Sequence, residues 1–420
     1  MFTSFTLMAY GAKASGSCFS IFNFQFSINH CQLYFMKHIL PLLCGLSVMA
    51  LSLQTSCHQC KASQLEPVGD SLADSAQHIS LLVAGDLMQH DVQIKCALMP
   101  DSTYDYSSYF AWVKPEIERA DVAIANLEVT LAGKPYKGYP QFSAPDEYLY
   151  AIKEAGFDLL TTTNNHACDR GLVGVLRTIQ MCDSVGLPHL GTYVDSMARV
   201  EQYPYMLEKN GFRIALINFT YGTNELPTPK PTHVNRLDTA QIAEDILKAK
   251  SMNPDLIIAL PHWGIEYETL PRKSMVKLAQ WMLDKGVHHV VGGHPHVVQP
   301  IELRQDSLTG EKHLVAYSLG NFVSDQAGFP KYGGMMLRME FVKEGPHQPA
   351  RIADCGYTLT FVARPDWSKR KNHRIYPINV SDSLLNTVER QKRDTFVTMA
   401  RDLFAKHNLN IQEYFIPEEK

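Results

Sequence analysis

From Ile79 onward, short apolar runs of strand length alternate with amphipathic segments of helical period. This alternation constrains the fold more than any other feature, because each sheet or helix must bury its apolar face against another element. It predicts an α/β sandwich and excludes a helical bundle or an all-β barrel. The predicted strands are Ile79–Ala84, Val122–Ala125, Asp158–Thr163, Ile214–Phe219, Leu256–Leu260, His289–Val291 and Leu314–Tyr317.

Segments with a helical pattern lie between these strands, and end signals mark two of them. Asp238 stands at the N-cap position of one segment, and Gly286 follows the last residue of another. The predicted helices are Pro115–Ala120, Pro145–Ala155, Gly171–Val185, Thr239–Lys250 and Lys273–Lys285.

The composition is that of an ordinary globular protein of 420 residues, with 45% hydrophobic and 20% charged residues. Lysine and arginine number 39 and aspartate and glutamate 43, which gives a net charge of −4. Such a chain has no overall attraction for a phosphate backbone, so nucleic acid is not an expected partner. An anionic substrate would have to be bound by local groups.

The N-terminal region has the features of an export signal. No acidic residue precedes Glu66, and a short basic start at Met36 is followed by an apolar run from Ile39 to Leu53. This pattern predicts a signal region over residues 1–56 with translation starting at Met36. A transmembrane anchor is the alternative, although 15 apolar residues fall short of the roughly 20 that span a bilayer.

Small residues lead into Cys57, as at a bacterial lipoprotein cleavage site where the cysteine becomes lipidated. Cleavage without lipid attachment stays open, as does the pairing of any disulfides. The polar stretch 57–77 is typical of a tether. We predict a main domain over residues 78–345 and a C-terminal extension packed on it over 346–420, with two or three strands between 349 and 380 and a helix from Ser381 to Lys406.

Five of the predicted strands are followed by residues whose side chains are potential metal ligands. Because ligands collect at the carboxyl ends of strands in α/β sheets, these residues are expected to meet in one crevice. Carboxylate, amide and imidazole groups together suit a pair of Zn, Mn or Fe ions. The strand ends read Gly85-Asp86, Asn126-Leu127-Glu128, Asn164-Asn165-His166, Pro261-His262-Trp263-Gly264 and Gly292-Gly293-His294-Pro295-His296.

The ordered motifs GD, NLE, NNHACDRG, PHWGIEY, GGHPHVVQP and YSLGNF resemble those of the capsule-synthesis CapA family, also called poly-gamma-glutamate synthesis PgsA-type proteins. That family is a branch of the calcineurin-like metallophosphatase superfamily, and the resemblance runs from about Ile79 to Val342. It implies a four-layer sandwich of two packed mixed β-sheets flanked by helices. It also implies a role in making, anchoring or exporting an anionic cell-surface polymer.

The resemblance further implies two divalent metal ions and a general acid. His166 would protonate the leaving group, and Asp169 would orient His166. The implied metal ligands are Asp86 and His296 for the first ion, Asn165, His262 and His294 for the second ion, and Glu128 as the bridge between them.

This sequence departs from the superfamily's first motif, Asp-x-His. Met88 stands where the histidine is expected, and His90 is the candidate replacement. Glu128 also replaces the usual bridging aspartate and is longer by one methylene. The residues predicted to contact substrate are Arg170, Trp263, Glu266 and Tyr267.

Two functions follow from these residues. As a hydrolase, the protein would cleave a phosphoester, or a γ-linked amide bond, by metal-assisted attack of water. As an accessory protein, it would bind an anionic cell-surface polymer without catalysis and keep a vestigial metal site. In both cases we expect an extracytoplasmic protein that is either held at the membrane by its N-terminal lipid or signal anchor or released as a secreted or periplasmic protein. A membrane-bound polymer synthase is a candidate partner.

Overall fold

The computed structural model of the protein describes residues 76–345 and 348–417. The predicted signal region lies outside these residues, and so does the predicted tether apart from residues 76 and 77. Among the described helices, none is both long enough and apolar enough to cross a membrane.

The described residues form strands and helices in alternation through most of the chain. The strands are β1 (Gln77–Leu87), β2 (Val122–Leu127), β3 (Leu159–Thr161), β4 (His189–Leu190), β5 (Thr192–Tyr193), β6 (Tyr205–Lys209), β7 (Phe212–Thr220), β8 (His233–Val234), β9 (Leu256–His262), β10 (His289–Val291), β11 (Ile301–Gln305), β12 (Lys312–Ala316), β13 (Asn321–Val323), β14 (Gly333–Lys343), β15 (Arg351–Ala363), β16 (Arg374–Pro377) and β17 (Gln412–Glu413). The helices are α1 (Asp91–Ala97), α2 (Lys114–Glu118), α3 (Asp146–Glu154), α4 (Gly171–Ser184), α5 (Ser196–Gln202), α6 (Thr239–Ser251), α7 (Lys273–Asp284) and α8 (Thr387–His407).

Two mixed sheets form the centre of the molecule. The larger has nine strands, seven of them in the order β16-β15-β14-β1-β2-β3-β4, with β13 paired to β1 and β17 to β15. Strand β1 runs parallel to β2 and antiparallel to β14. The smaller sheet has six strands in the order β11-β12-β10-β9-β7-β6. Strands β5 and β8 form a separate antiparallel pair.

Successive residues of the central strands face opposite layers, as the two-residue period of a strand requires. In β1, Leu81 lies in the core between the sheets, whereas Leu82 packs against the helices that cover the larger sheet. In β7, Leu216 lies in the same inter-sheet core and Ile217 packs against α6 and α7. The fold is thus a four-layer α/β sandwich of two mixed sheets flanked by helices, which confirms the predicted fold class.

The predicted strands and helices between Ile79 and Tyr317 are all present, with ends shifted by a few residues. The N-cap prediction at Asp238 is correct, because its side chain accepts a hydrogen bond from the backbone N–H of Ala240 at 2.9 Å. Strand β14, the antiparallel neighbour of β1, was not predicted.

The segment predicted as a C-terminal extension contributes strands to the larger sheet. Strand β15 pairs with β14 and with β16, so the sheet continues past residue 345. Helix α8 begins at Thr387 and not at Ser381. The physical reason is that Asn386 and Glu389 form a reciprocal capping box at 2.9 Å, while Ser381 caps a separate short 3₁₀ turn.

Candidate metal centre

The carboxyl ends of β1, β2, β3, β9 and β10 meet at one edge of the sandwich. Asp86 of β1 is in register with Asn126 of β2, and Asn126 with Thr161 of β3. In the smaller sheet, His262 at the end of β9 pairs with Gly293, which follows β10. The two sheets approach each other here, since Asn126 Nδ2 lies 3.4 Å from His262 Nδ1. The strand ends singled out in the sequence are therefore brought together.

Glu128 occupies the centre of this cluster and is fully buried. Its Oε1 atom lies 3.7 Å from His262 Nε2 and 3.6 Å from His296 Nε2. The ligand atoms form two groups, and the atoms within each group lie within 4.8 Å of one another. One group is Asp86, Glu128 and His262, and the other is Glu128, His294 and His296. A carboxylate shared by two ligand groups is the arrangement expected of a bridge between two ions.

Several buried polar atoms of the cluster have no hydrogen-bond partner. They are Asp86 Oδ2, Glu128 Oε1, His294 Nδ1 and His296 Nδ1. Asp86 Oδ2 and His296 Nδ1 lie 3.2 Å from each other but do not form a well-aligned hydrogen bond. Buried polar groups are nearly always paired, so several unpaired atoms in one cluster need an explanation. Divalent cations that accept carboxylate and imidazole ligands provide one, because this mixed N/O donor set suits Zn, Mn or Fe. The residues therefore fit a dinuclear metal centre.

Burial shifts the pKa values of the residues in this cluster. It raises the pKa of Glu128 well above its ordinary value, and the neighbouring Asp86 charge adds to the effect. Burial also lowers the pKa of His262 to about 3 and that of His294 well below its ordinary value. For Asp86, burial raises the pKa, but His296, His262 and the hydrogen bond from Asn126 together outweigh burial and leave the pKa lowered. The neutral imidazoles are in the state that binds a cation, whereas Glu128 would lose its proton on binding one.

The backbone at the two histidines after β10 is strained. His294 has a φ of 101° and His296 a φ of 58°, both in the region that non-glycine residues rarely adopt. Such conformations persist only where the surrounding structure enforces them, and they concentrate at functional sites. Here the strained backbone presents both imidazoles to Glu128.

Asn126 is a site residue that the sequence prediction missed. Its Nδ2 donates to Asp86 Oδ1 at 2.8 Å and to Glu128 Oε2 at 3.1 Å, so one amide holds both carboxylates. Its Oδ1 accepts from Asn164 Nδ2 at 3.1 Å. The spacing of Asn126 and Glu128 could have identified Asn126, because residues two apart on a strand face the same side and Glu128 was already a predicted ligand.

His166 and Asp169 form a buried pair beside the metal ligands. His166 Nδ1 lies 2.8 Å from Asp169 Oδ2, which also accepts from the backbone N–H of Phe142 at 2.7 Å. Both residues line a cleft of about 710 Å³ that Tyr139, Tyr221 and other residues complete. This geometry leaves His166 Nε2 as the ring nitrogen available to a molecule in the cleft.

Comparison with known proteins identifies the family of this chain. A sequence model of the family described as bacterial capsule synthesis protein PGA_cap matches residues 80–326, which is more than half of the chain. The chain belongs to this family. The PGA_cap match spans all five strand ends of the candidate metal centre.

Among curated relatives, the capsule biosynthesis protein CapA of Bacillus anthracis is 29% identical over 263 residues, covering 60% of this chain and 61% of that protein. The PGA biosynthesis protein CapA of Bacillus subtilis (strain 168) is 27% identical over 245 residues, covering 57% of this chain and 62% of that protein. The chain thus spans about three-fifths of the length of these curated relatives.

Similar solved structures include an NAD nucleotidase of Haemophilus influenzae, with 15% identity and a TM-score of 0.42 over 80% of this chain and 57% of that one. A 5'-nucleotidase of Candida albicans has 12% identity and a TM-score of 0.37 over 77% of this chain and 58% of that one.

The resemblance implied that Asp86 and His296 hold one ion and that Asn165, His262 and His294 hold the other. In this PGA_cap member Asp86 Oδ2 lies 3.2 Å from His296 Nδ1, and the ring centroids of His262 and His294 lie 4.9 Å apart. Asn165 was implied as a ligand beside His262, and its Oδ1 lies 2.7 Å from His262 Nε2.

His90 lies outside both ligand groups. Its Nδ1 is 3.2 Å from Gln93 Oε1 and accepts a hydrogen bond from the backbone N–H of Asp325 at 3.3 Å. Burial lowers the pKa of His90 to about 4. Its ring packs edge-on against Phe142, whose ring also contacts His166. His90 is therefore linked to His166 through Phe142, but its Nδ1 is hydrogen-bonded to Asp325 and belongs to neither ligand group.

The four residues predicted to contact substrate lie in different environments. Trp263 belongs to the core behind the smaller sheet, and its indole N–H donates to the Tyr317 carbonyl at 3.0 Å, so its prediction as a substrate contact is wrong. Glu266 lines the cleft. Tyr267 is 43% exposed beside Lys331, whose Nζ lies 4.0 Å from the ring centroid. Arg170 precedes α4 in a left-handed conformation and is absent from the described cleft lining.

Proposed function

We propose that this PGA_cap protein is a metal-dependent hydrolase of the cell envelope that acts in capsule or poly-gamma-glutamate synthesis, anchoring or export. The observation that carries the proposal is the convergence of Asp86, Glu128 and three histidines, with unpaired buried ligand atoms, beside a His166–Asp169 pair that lines a cleft. The names of the curated relatives support a role in capsule and PGA biosynthesis.

The roles of the residues follow from their contacts. Two divalent ions, Mn, Fe or Zn, would be held by Asp86, Glu128, Asn165, His262, His294 and His296. When bound, such ions polarise a phosphoryl oxygen and lower the pKa of a water molecule. The Asp169 carboxylate accepts from His166 Nδ1 and orients the ring, and in its doubly protonated form the ring would carry on Nε2 the proton for the leaving group. Asn126 holds both buried carboxylates in place.

We place the protein outside the cytoplasm, tethered at Cys57 or released after cleavage. The basic start and apolar run at residues 36–53 support this location. The substrate would be a phosphoester, or an anionic cell-surface polymer with γ-linked amide bonds, supplied by a membrane-bound synthase. The net charge of −4 supports a partner other than nucleic acid.

Metal content and turnover test the proposal together. We expect two equivalents of metal by elemental mass spectrometry and hydrolysis of bis(p-nitrophenyl) phosphate or of poly-gamma-glutamate. His166→Ala should lower turnover by about 10²–10⁴-fold with metal content unchanged, because it removes only the acid. His262→Ala should lose metal as well as turnover. His78, an exposed histidine on β1, provides the control His78→Ala. Unchanged turnover in both site variants would refute the proposed hydrolase activity.

A binding protein with a vestigial site is the second candidate, and one observation favours it. Met88, at the position of the expected imidazole, is buried in the core, and its carbonyl accepts hydrogen bonds from Gln93 Nε2 and Tyr148 Oη at 3.1 Å each. The first ion would therefore have one imidazole ligand fewer than in the superfamily pattern. Polymer display in cells that tolerates both His166→Ala and His262→Ala would support this candidate.

A further inference from the structure

The loop after β7 places Asn224 against two residues of the candidate centre. Asn224 Oδ1 accepts a hydrogen bond from Asn165 Nδ2 at 3.3 Å, and Asn224 Nδ2 lies 3.5 Å from His166 Nδ1. Asn224 also lines the cleft. It lies outside every strand-end motif, and so no role in the centre had been assigned to it.

The backbone holds this side chain in a fixed position. Thr223 is fully buried, its carbonyl accepts from the Leu226 N–H at 2.9 Å, and Arg236 donates to its hydroxyl. Between these anchors, Asn224 and Glu225 have φ values of 48° and 62°. Asparagine tolerates this left-handed conformation better than most residues. None of the hydrogen bonds that anchor the turn uses the Asn224 side chain.

Asn165 needs a defined orientation, because the two ends of its amide differ chemically. Its Oδ1 faces His262 Nε2 at 2.7 Å, and its Nδ2 faces Asn224. An amide oxygen binds a divalent cation, whereas an amide nitrogen, which carries two protons, does not. A flipped Asn165 would direct its oxygen at the Asn224 oxygen and its nitrogen at the metal position.

We propose that Asn224 is a positioning residue that orients the Asn165 amide so that its oxygen faces the metal position next to His262. The proposal rests on the proposed function in that it requires a metal ion at this centre. Residues that orient metal ligands commonly change metal affinity by about 10–100-fold when they are removed.

Mn²⁺ titration calorimetry on the purified full-length chain tests this role. Asn224→Gly removes the acceptor and keeps the positive φ, so we expect the affinity for one of two ions to fall about 10–100-fold. Asn224→Asp keeps an acceptor oxygen and should bind both ions as the wild type does. Asn253→Gly is the matched control, since exposed Asn253 has a φ of 52° in the turn after α6.

The outcomes separate this proposal from the proposed function. Wild-type protein that binds fewer than two ions overturns the dinuclear centre itself. Wild-type and Asn224→Gly proteins that bind two ions equally well overturn only the role of Asn224. Restoration of the second ion in Asn224→Gly by excess Mn²⁺ supports the proposal and shows that the variant is folded, because a misfolded protein would not recover wild-type stoichiometry.

Discussion

At the residue scale, Gly293 lets Asp86 approach the metal centre. A Cβ atom at position 293 would lie 3.0 Å from Asp86 Oδ1 and 3.8 Å from His262 Nδ1. A methyl group there would displace the carboxylate that Asn126 holds. We therefore expect Gly293→Ala to lower the affinity for Mn²⁺ by on the order of tenfold or more, as measured by titration calorimetry.

Gly222 offers a control for that substitution. A Cβ atom at position 222 would have no neighbour within 4 Å, and the residue is also next to the cleft. Gly222→Ala should bind Mn²⁺ as the wild type does. Equal affinities in Gly293→Ala and wild type would show that Asp86 does not depend on the space left by the glycine.

Strand period explains one correct and one wrong residue prediction. His262 ends β9 with its imidazole toward the centre, so the next residue, Trp263, points to the opposite layer and packs in the core. The same period would have identified Asn126 from Glu128, two residues on. Asn224 could not be found in this way, because it lies in a loop without a repeating pattern and meets Asn165 only through the tertiary fold.

At the element scale, α8 packs against the larger sheet through Phe396. The ring is fully buried, and a Cβ atom added to Gly333 of β14 would lie 2.9 Å from it. Because removal of a fully buried ring leaves a cavity in the core, we expect Phe396→Ala to lower the free energy of unfolding by about 3–5 kcal/mol. Urea unfolding followed by circular dichroism measures this change.

Val388 on the same helix is 42% exposed and serves as the comparison. Val388→Ala should change the free energy of unfolding by less than about 0.5 kcal/mol. If Phe396→Ala were equally mild, α8 would not contribute to the stability of the sandwich. The folded fraction of both variants should bind Mn²⁺ normally, because the helix does not supply a ligand.

The central elements were predictable because each carries its own local signal. Strands such as β9 are continuous apolar runs, and α6 begins at a capping aspartate. Strand β14 was missed, although it pairs with β1 over eight residues. The start of α8 was placed too early because Ser381 is also a cap, but of a short 3₁₀ turn. Choosing between two adjacent caps requires the packing of the finished helix.

At the scale of the whole molecule, buried neutral histidines couple stability to pH. Burial lowers the pKa of His90 to about 4 and of His262 to about 3, and it holds those of His289 and His294 well below the ordinary value of 6.5. Below pH 6.5 the unfolded chain therefore binds more protons at these groups than the folded protein does. Their stabilising contribution is complete above that pH and is lost as the pH falls. Glu128, whose pKa is raised by burial, opposes this trend by one proton.

His289 isolates this effect from the metal centre. It is buried in β10, and its Nδ1 accepts a hydrogen bond from the Leu314 N–H at 3.0 Å, which requires a neutral ring. His289→Asn retains an acceptor oxygen but cannot titrate. Between pH 6 and pH 5, with metal chelated, we expect the stability of this variant to fall less steeply than that of the wild type, by about 1.4 kcal/mol per pH unit. Urea unfolding at pH 7, 6 and 5 measures both slopes, and parallel slopes would mean that His289 is protonated within the folded protein.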